Sequence, residues 1–236
     1  MNDVVMISPT RSTVACGEGE LPVLELSIGG TPRGLVLVLC DGFGLDRDAP
    51  SVMNRLALHG YCSLAAEVAQ PHGEHARRLL ETAAERDWAP DQIGIVGLGQ
   101  GGLACLAAAA SLRLGAAVSL SPTVEAGTAG TGSPLAEVSE VLTPWLGLFG
   151  EADPGALPVE THALRARLYE RSDVHTQVVT YPGVGRDFPL RDDDGLGYAA
   201  CYDGWQRTVE WLELRVAPRL TPLAERWRRR RAAASG

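Results

Sequence analysis

The sequence predicts an α/β protein: a doubly wound, mostly parallel sheet with helices on both faces. Three observations carry this. Short apolar runs alternate with helix-like segments along the chain, the pattern of repeated β-α units. The run from Gly34 to Cys40 is continuously apolar, as a strand buried on both faces must be. The strand pattern Ile93 to Val96 passes through the hexad Gly97-Leu98-Gly99-Gln100-Gly101-Gly102 into an Ala- and Leu-rich helix pattern ending at Arg113.

Taken in order, Leu21 to Ser27 alternates apolar and polar residues, as an early antiparallel strand does. Gly34 to Cys40 is the first buried strand. Ser51 to His59 has helical spacing, and Gly60 supplies the residue that ends such a helix. Cys62 to Ala66 is a short strand, and His75 to Arg86 a helix punctuated by Pro90-Asp91. After the glycine hexad and its helix, Ala116 to Leu120 is a strand closed by Pro122. Glu125 to Pro134 is a Gly/Thr/Ser-rich loop. Trp145 to Phe149 is a strand, Val159 to Glu170 a helix and His175 to Tyr181 the last strand. Tyr198 to Val216 closes the fold as a long helix, its Trp205, Val209, Leu212 and Val216 forming a core-facing stripe. Residues 1–218 are expected to form one domain and 219–236 a solvated, frayed basic tail.

Composition excludes several kinds of function. All 21 basic residues are Arg, so neither a Schiff-base lysine nor a lysine general base is available. Five of these arginines (Arg226, Arg228, Arg229, Arg230, Arg231) lie in the tail, and without them the chain carries −13, a poor match to nucleic acid. The five cysteines are odd in number and scattered, with no Cys-x-x-Cys, which points away from a disulfide framework or zinc ribbon and toward a reducing cytoplasm. No apolar run approaches the ~20 residues that span a bilayer, and the first residues lack a signal-peptide pattern. The expectation is a cytoplasmic protein with a small-molecule ligand, no cofactor or metal, and neither nucleic-acid nor membrane partner; the sequence leaves the oligomeric state open.

Strand, glycine-rich turn and helix are the context of the nucleophile elbow, G-x-S-x-G. Here Gly97 and Gly101 supply the flanking glycines, and the central residue is Gly99, with neither hydroxyl nor thiol. Three further stretches join this one. They are Leu39-Cys40-Asp41-Gly42-Phe43-Gly44-Leu45, the segment Leu146 to Pro154 ending in Gly150-Glu151-Ala152-Asp153-Pro154, and Tyr181-Pro182-Gly183-Val184-Gly185-Arg186-Asp187-Phe188. Together, and in this order, they make the chain resemble the dienelactone hydrolase family of α/β-hydrolase-fold proteins over nearly its whole length.

The resemblance implies a set of roles. The family's nucleophile falls on Gly99, its triad acid on Asp153 and its histidine on Arg186. An acidic residue after the third strand, usually Glu in the family, falls on Asp41. The oxyanion hole, built from backbone N–H groups, falls on Gly42 and Gln100, with Phe43 in the same loop. The stretch from Glu67 to Glu74, which bears substrate-binding residues in the family, is shortened here, and its His72 and His75 lie in a loop at the sheet's carboxyl edge, where open α/β sheets bind ligands. Either histidine is a candidate general base, or simply a helix-start residue.

Acyl transfer needs a nucleophile, a base to take its proton and a group to orient that base. Gly99 cannot be the first, and a guanidinium, protonated below pH ~12 and without an acceptor, cannot be the second. Two roles are open to Arg186: a bidentate ion pair with Asp153, or a clamp on a ligand carboxylate or phenolate. The leading expectation is a protein that binds a small anionic or enolisable molecule. It either catalyses a non-covalent step (cyclisation, isomerisation, elimination or hydration) with Asp41, Arg186 and the oxyanion donors, or is inactive. Two alternatives stand beside it: an ester or lactone hydrolase with a displaced nucleophile such as Cys40, and a non-catalytic scaffold partner of an active enzyme. Cys40 and Cys105 also read as packed strand and helix residues. Cys201 lies near the start of the last helix, Ser119 and Ser121 are candidate pocket linings, and His59, His162 and His175 read as surface residues.

Overall fold

A computed structural model describes residues 6–17, 19–41, 44–68, 74–122, 135, 138–190 and 195–234. Eight strands form a single sheet: β1 (Thr10–Cys16), β2 (Gly19–Leu26), β3 (Gly34–Cys40), β4 (Tyr61–Glu67), β5 (Ile93–Leu98), β6 (Ala116–Leu120), β7 (Trp145–Gly150) and β8 (Thr176–Tyr181). Their order across the sheet is β1-β2-β4-β3-β5-β6-β7-β8. β1 and β2 pair antiparallel, β2 joins β4 antiparallel, and every other pairing is parallel. This is the α/β-hydrolase fold.

The fully apolar strands require cover on both faces, and the helices provide it. α2 (Ala49–Ala57) follows the one-turn α1 (Gly44–Arg47). Then come α3 (Glu74–Ala84), α4 (Gln100–Ser111), α5 (Pro158–Arg171), α6 (Gly195–Arg215) and α7 (Pro222–Ala234). Alternation along β3 divides the core. Leu35, Leu37 and Leu39 join the cluster that holds Leu79 of α3, Leu106 of α4 and Leu164 of α5. Val36, Val38 and Cys40 join the cluster that holds Met53 of α2 and Trp205 and Leu212 of α6.

The structure corrects the expected elements in two places. β1 was not expected: its first four residues are polar and exposed, only Val14 and Cys16 at its end reach the core, and its ladder to β2 holds it. The tail is not frayed, since 222–234 form the helix α7, although none of its side chains from 222 to 233 is buried. Alanines, leucine and arginines are strong helix formers, and an Arg229–Glu225 pair lies one turn apart on it. The loop expected from Glu125 to Pro134 lies outside the described residues. No helix among the described residues is long and apolar enough to cross a membrane.

Candidate active site

The parallel strands bring the key residues together by register. Leu39 of β3 lies opposite Gly97 of β5, and Leu98 of β5 opposite Leu120 of β6. The carboxyl ends of three adjacent strands therefore place Cys40 and Asp41, then Gly99, then Ser121 side by side. A cleft opens there, lined by these four with Gly44, Arg47, Asp48, Leu98, Leu120, Arg186, Asp187, Pro189 and Leu190. Its cavity of about 50 Å³ has room for roughly three to five waters at about 10–15 Å³ each.

Its floor is a sharp strand-to-helix turn. Gly99 has φ 56 and ψ −117, a conformation that side-chain-bearing residues adopt only under strain. A Cβ on Gly97 would sit on the Gly101 carbonyl, and one on Gly101 would sit on the Leu39 carbonyl. The flanking glycines are thus what lets α4 start directly against β5 and β3. The Gly99 N–H is spent on Leu120 O, at 3.1 Å. Beneath the turn, Ser119 Oγ donates to Gly102 O (2.8 Å) and accepts from Trp145 Nε1 (2.9 Å), fixing β6, β7 and α4 to one another. Ser119 is therefore a buried strut and not a pocket residue.

Asp41, Gly99, Arg186 and Cys40 all line the cleft. Asp41 is half-buried, and Arg186 is exposed at its mouth. The Cys40 thiol is buried, and burial pushes its pKa well above the ordinary cysteine value, with Asp41, Asp48 and Glu67 adding to the rise. A thiol so placed resists becoming the thiolate that nucleophilic attack requires. Cys105 is likewise packed, its pKa pushed up to about 12 by burial. Cys201 lies in the second turn of α6 with Arg55 Nη1 at 3.8 Å, a basic neighbour from α2 that its own sequence surroundings did not reveal.

The remaining expectations fare differently. Asp153 is 2 % exposed, follows β7 and does not line the cleft. Its Oδ1 accepts the Gly155 N–H at 2.8 Å, while Oδ2 is buried without a hydrogen-bond partner. Bidentate pairing with Arg186 would occupy both oxygens, so that arrangement is not formed. Burial raises the Asp153 pKa against the opposing influence of the Gly155 N–H and the Arg186 charge. His75 opens α3 and donates from Nδ1 to the Glu67 carbonyl at 2.5 Å, outside the cleft. Gln100 is the first residue of α4. Gly42, Phe43 and His72 lie outside the described residues.

Sequence reasoning missed Arg47, Asp48 and Asp187. Arg47 donates Nε and Nη2 to the two Asp48 oxygens at 2.9 and 2.6 Å, one wall of the cleft. Asp187 directly follows Arg186, and their shared loop was the available signal. Among the described residues, no group of three or more His, Cys, Asp or Glu side chains is placed to hold a metal. A larger groove of about 570 Å³ between α5 and the amino-terminal half of β8 (Thr176 to Val178), lined by His162, Arg165 and Tyr169 among others, lies away from the strands' carboxyl ends.

Comparison with known proteins decides the family. The model of the dienelactone hydrolase family matches residues 72–215, more than half of the chain. The chain belongs to the dienelactone hydrolase family. Among this family member's relatives is a protein of Salmonella typhimurium named "Putative carboxymethylenebutenolidase", 26 % identical over 216 residues, covering 80 % of this chain and 79 % of the relative. The corresponding Escherichia coli K12 protein, of the same name, is 25 % identical over 211 residues, covering 77 % of each. Among solved structures, a "Putative Dienelactone Hydrolase" from Klebsiella pneumoniae superposes with TM-score 0.71 at 20 % identity, over 87 % of this chain and 98 % of that one. Est1E from Butyrivibrio proteoclasticus gives 0.66 at 18 %, over 86 % and 99 %. At such identities the two structures speak for the dienelactone hydrolase fold alone.

Proposed function

We propose that this dienelactone hydrolase family member carries a degenerate triad, with Gly99 at the nucleophile position and Arg186 at the histidine position. It binds a small anionic or enolisable molecule at the sheet's carboxyl edge without forming a covalent intermediate. The observation that carries the reading is Gly99 itself: the turn holds φ 56 and ψ −117 ahead of α4, as a nucleophile elbow would, with no atom to attack with. Asp41 and Arg186 in the cleft supply a carboxylate that can take a proton and a guanidinium that can hold an oxygen carrying negative charge. Such a pair suits enolisation, elimination or hydration. Gln100 and Gly42 are the backbone donors the reading assigns to the oxyanion.

The displaced-nucleophile reading loses support from Cys40, whose thiol is held protonated by burial among carboxylates. The scaffold reading gains from one observation, the small cavity, well below the roughly 300–1,000 Å³ of ordinary ligand pockets. We read residues 1–218 as the ligand-binding domain and 219–236 as an appended basic tail that carries the helix α7.

Intact-mass spectrometry after treatment with a fluorophosphonate tests the proposal. No adduct is expected on the wild type, and a single adduct is expected on a Gly99→Ser, Arg186→His double variant. A stoichiometric adduct on the wild type would show a working nucleophile and sink the reading.

A further inference from the structure

Ser121 combines three features that its position in the sequence does not require. It lines the cleft beside Gly99. Its Oγ is buried, on a residue 3 % exposed, and has no hydrogen-bond partner. Its backbone is held at φ 45, one of two non-glycine residues with positive φ among those described. Strain of this kind persists only where the surroundings enforce it, and here the Ser121 N–H donation to Leu148 O at 2.8 Å ties the turn to β7. A buried hydroxyl with both its donor and its acceptor unused costs stability unless something in the cleft satisfies it.

The charges around it narrow what that something is. Asp41, Asp48 and Asp187 line the cleft against Arg47 and Arg186, and Arg47 is engaged by Asp48. On the β3 side Cys40, which lines the cleft with Asp41 and Gly44, is buried and adds no positive charge. A carboxylate ligand would meet a lining already one negative charge in excess; a neutral carbonyl would not. The cavity of about 50 Å³ admits the carbonyl end of such a molecule, leaving the rest at the mouth.

We propose that Ser121 is the ligand-anchoring residue of the cleft, its hydroxyl donating to the carbonyl oxygen of a small neutral carbonyl compound such as a lactone or cyclic ketone. This inference rests on the reading of the cleft as a ligand site and narrows its ligand from anionic or enolisable to neutral and enolisable. Ser121 stands one strand over from the empty elbow and supplies a polar side chain where Gly99 supplies none.

Ligand-observed saturation-transfer NMR on the whole chain tests it with γ-butyrolactone and its ring-opened form, 4-hydroxybutyrate, which share a carbon skeleton and differ in charge. Wild type, Ser121→Ala and Ser121→Gly are compared, with thermal melts to confirm folding; the glycine variant removes the hydroxyl without demanding positive φ of a Cβ-bearing residue. Transfer to the lactone is expected in the wild type, a loss of at least fivefold in both variants, and little transfer to 4-hydroxybutyrate. Unchanged lactone transfer in a folded Ser121→Gly protein would overturn the role of Ser121 and leave the cleft as a site. Preferential transfer to 4-hydroxybutyrate would overturn the neutral-ligand assignment. No transfer of either probe to the wild type would overturn this inference and the ligand-binding reading beneath it together.

Discussion

At the scale of single residues, Asp153 is a buried carboxylate whose hydrogen bonding is only half complete. One oxygen is held by the Gly155 N–H and the other is buried without a partner. Burial raises its pKa from the ordinary 3.8, so the folded state keeps the proton to a higher pH than the unfolded chain does. Between those two values the unfolded state binds fewer protons, and stability falls as pH rises through the raised value. Asp153→Asn removes the charge and should stabilise the protein at pH 7 by about 1 kcal/mol, with the difference gone below the ordinary carboxylate value. Urea midpoints of the two proteins at pH 7 and pH 3.5 check this; destabilisation at pH 7 would mean that the carboxylate is satisfied after all. The sequence marked Asp153 by its place in Gly-Glu-Ala-Asp-Pro, yet an orphaned oxygen depends on what the chain fails to bring near it. That is invisible in a motif. Ser121 is the same case: a strand-ending serine in the sequence, a strained and unsatisfied hydroxyl in three dimensions.

At the scale of elements, the turn from β5 to α4 is the most constrained junction in the protein. Gly97, Gly99 and Gly101 read from the sequence as an elbow because each glycine answers a physical demand: two for backbone approach, one for φ 56. Gly101→Ala should therefore cost about 3 kcal/mol, because the new Cβ meets the Leu39 carbonyl of β3, a backbone atom that cannot move aside. Equilibrium unfolding in urea reads this directly, and a cost near zero would mean that α4 can slide off the sheet. Elements with a clear apolar period were legible: β3, β5, β6, β7 and the core stripe of α6. β1 was not, since four of its seven residues are polar and exposed, and the apolar positions that reach the core, Val14 and Cys16, are too few to show a period. The helix α7 was hidden by its charge, because arginines read as a solvated tail whether or not the backbone coils.

For the whole molecule, the strand order and the two-sided core follow from alternating β-α units, and they assemble the cleft without any residue specifying it alone. β3, β5 and β6 are far apart in sequence and adjacent in the sheet, so Asp41, Gly99 and Ser121 become neighbours only through register. Three of the four stretches that carry the resemblance fall within the family match across residues 72–215, and the fourth, Leu39 to Leu45, precedes it. What the motifs could not supply was the cleft's size, its acidic lining and the unpartnered second oxygen of Asp153. The central claim is that the fold retains an elbow from which the covalent route has been removed. Stopped-flow hydrolysis of p-nitrophenyl acetate by the wild type and by the Gly99→Ser, Arg186→His double variant tests it most directly. The account predicts no burst from the wild type, and from the variant a stoichiometric burst of p-nitrophenol with a rate at least ~10²-fold higher, as a restored nucleophile and base should give. A stoichiometric burst from the wild type itself would contradict it.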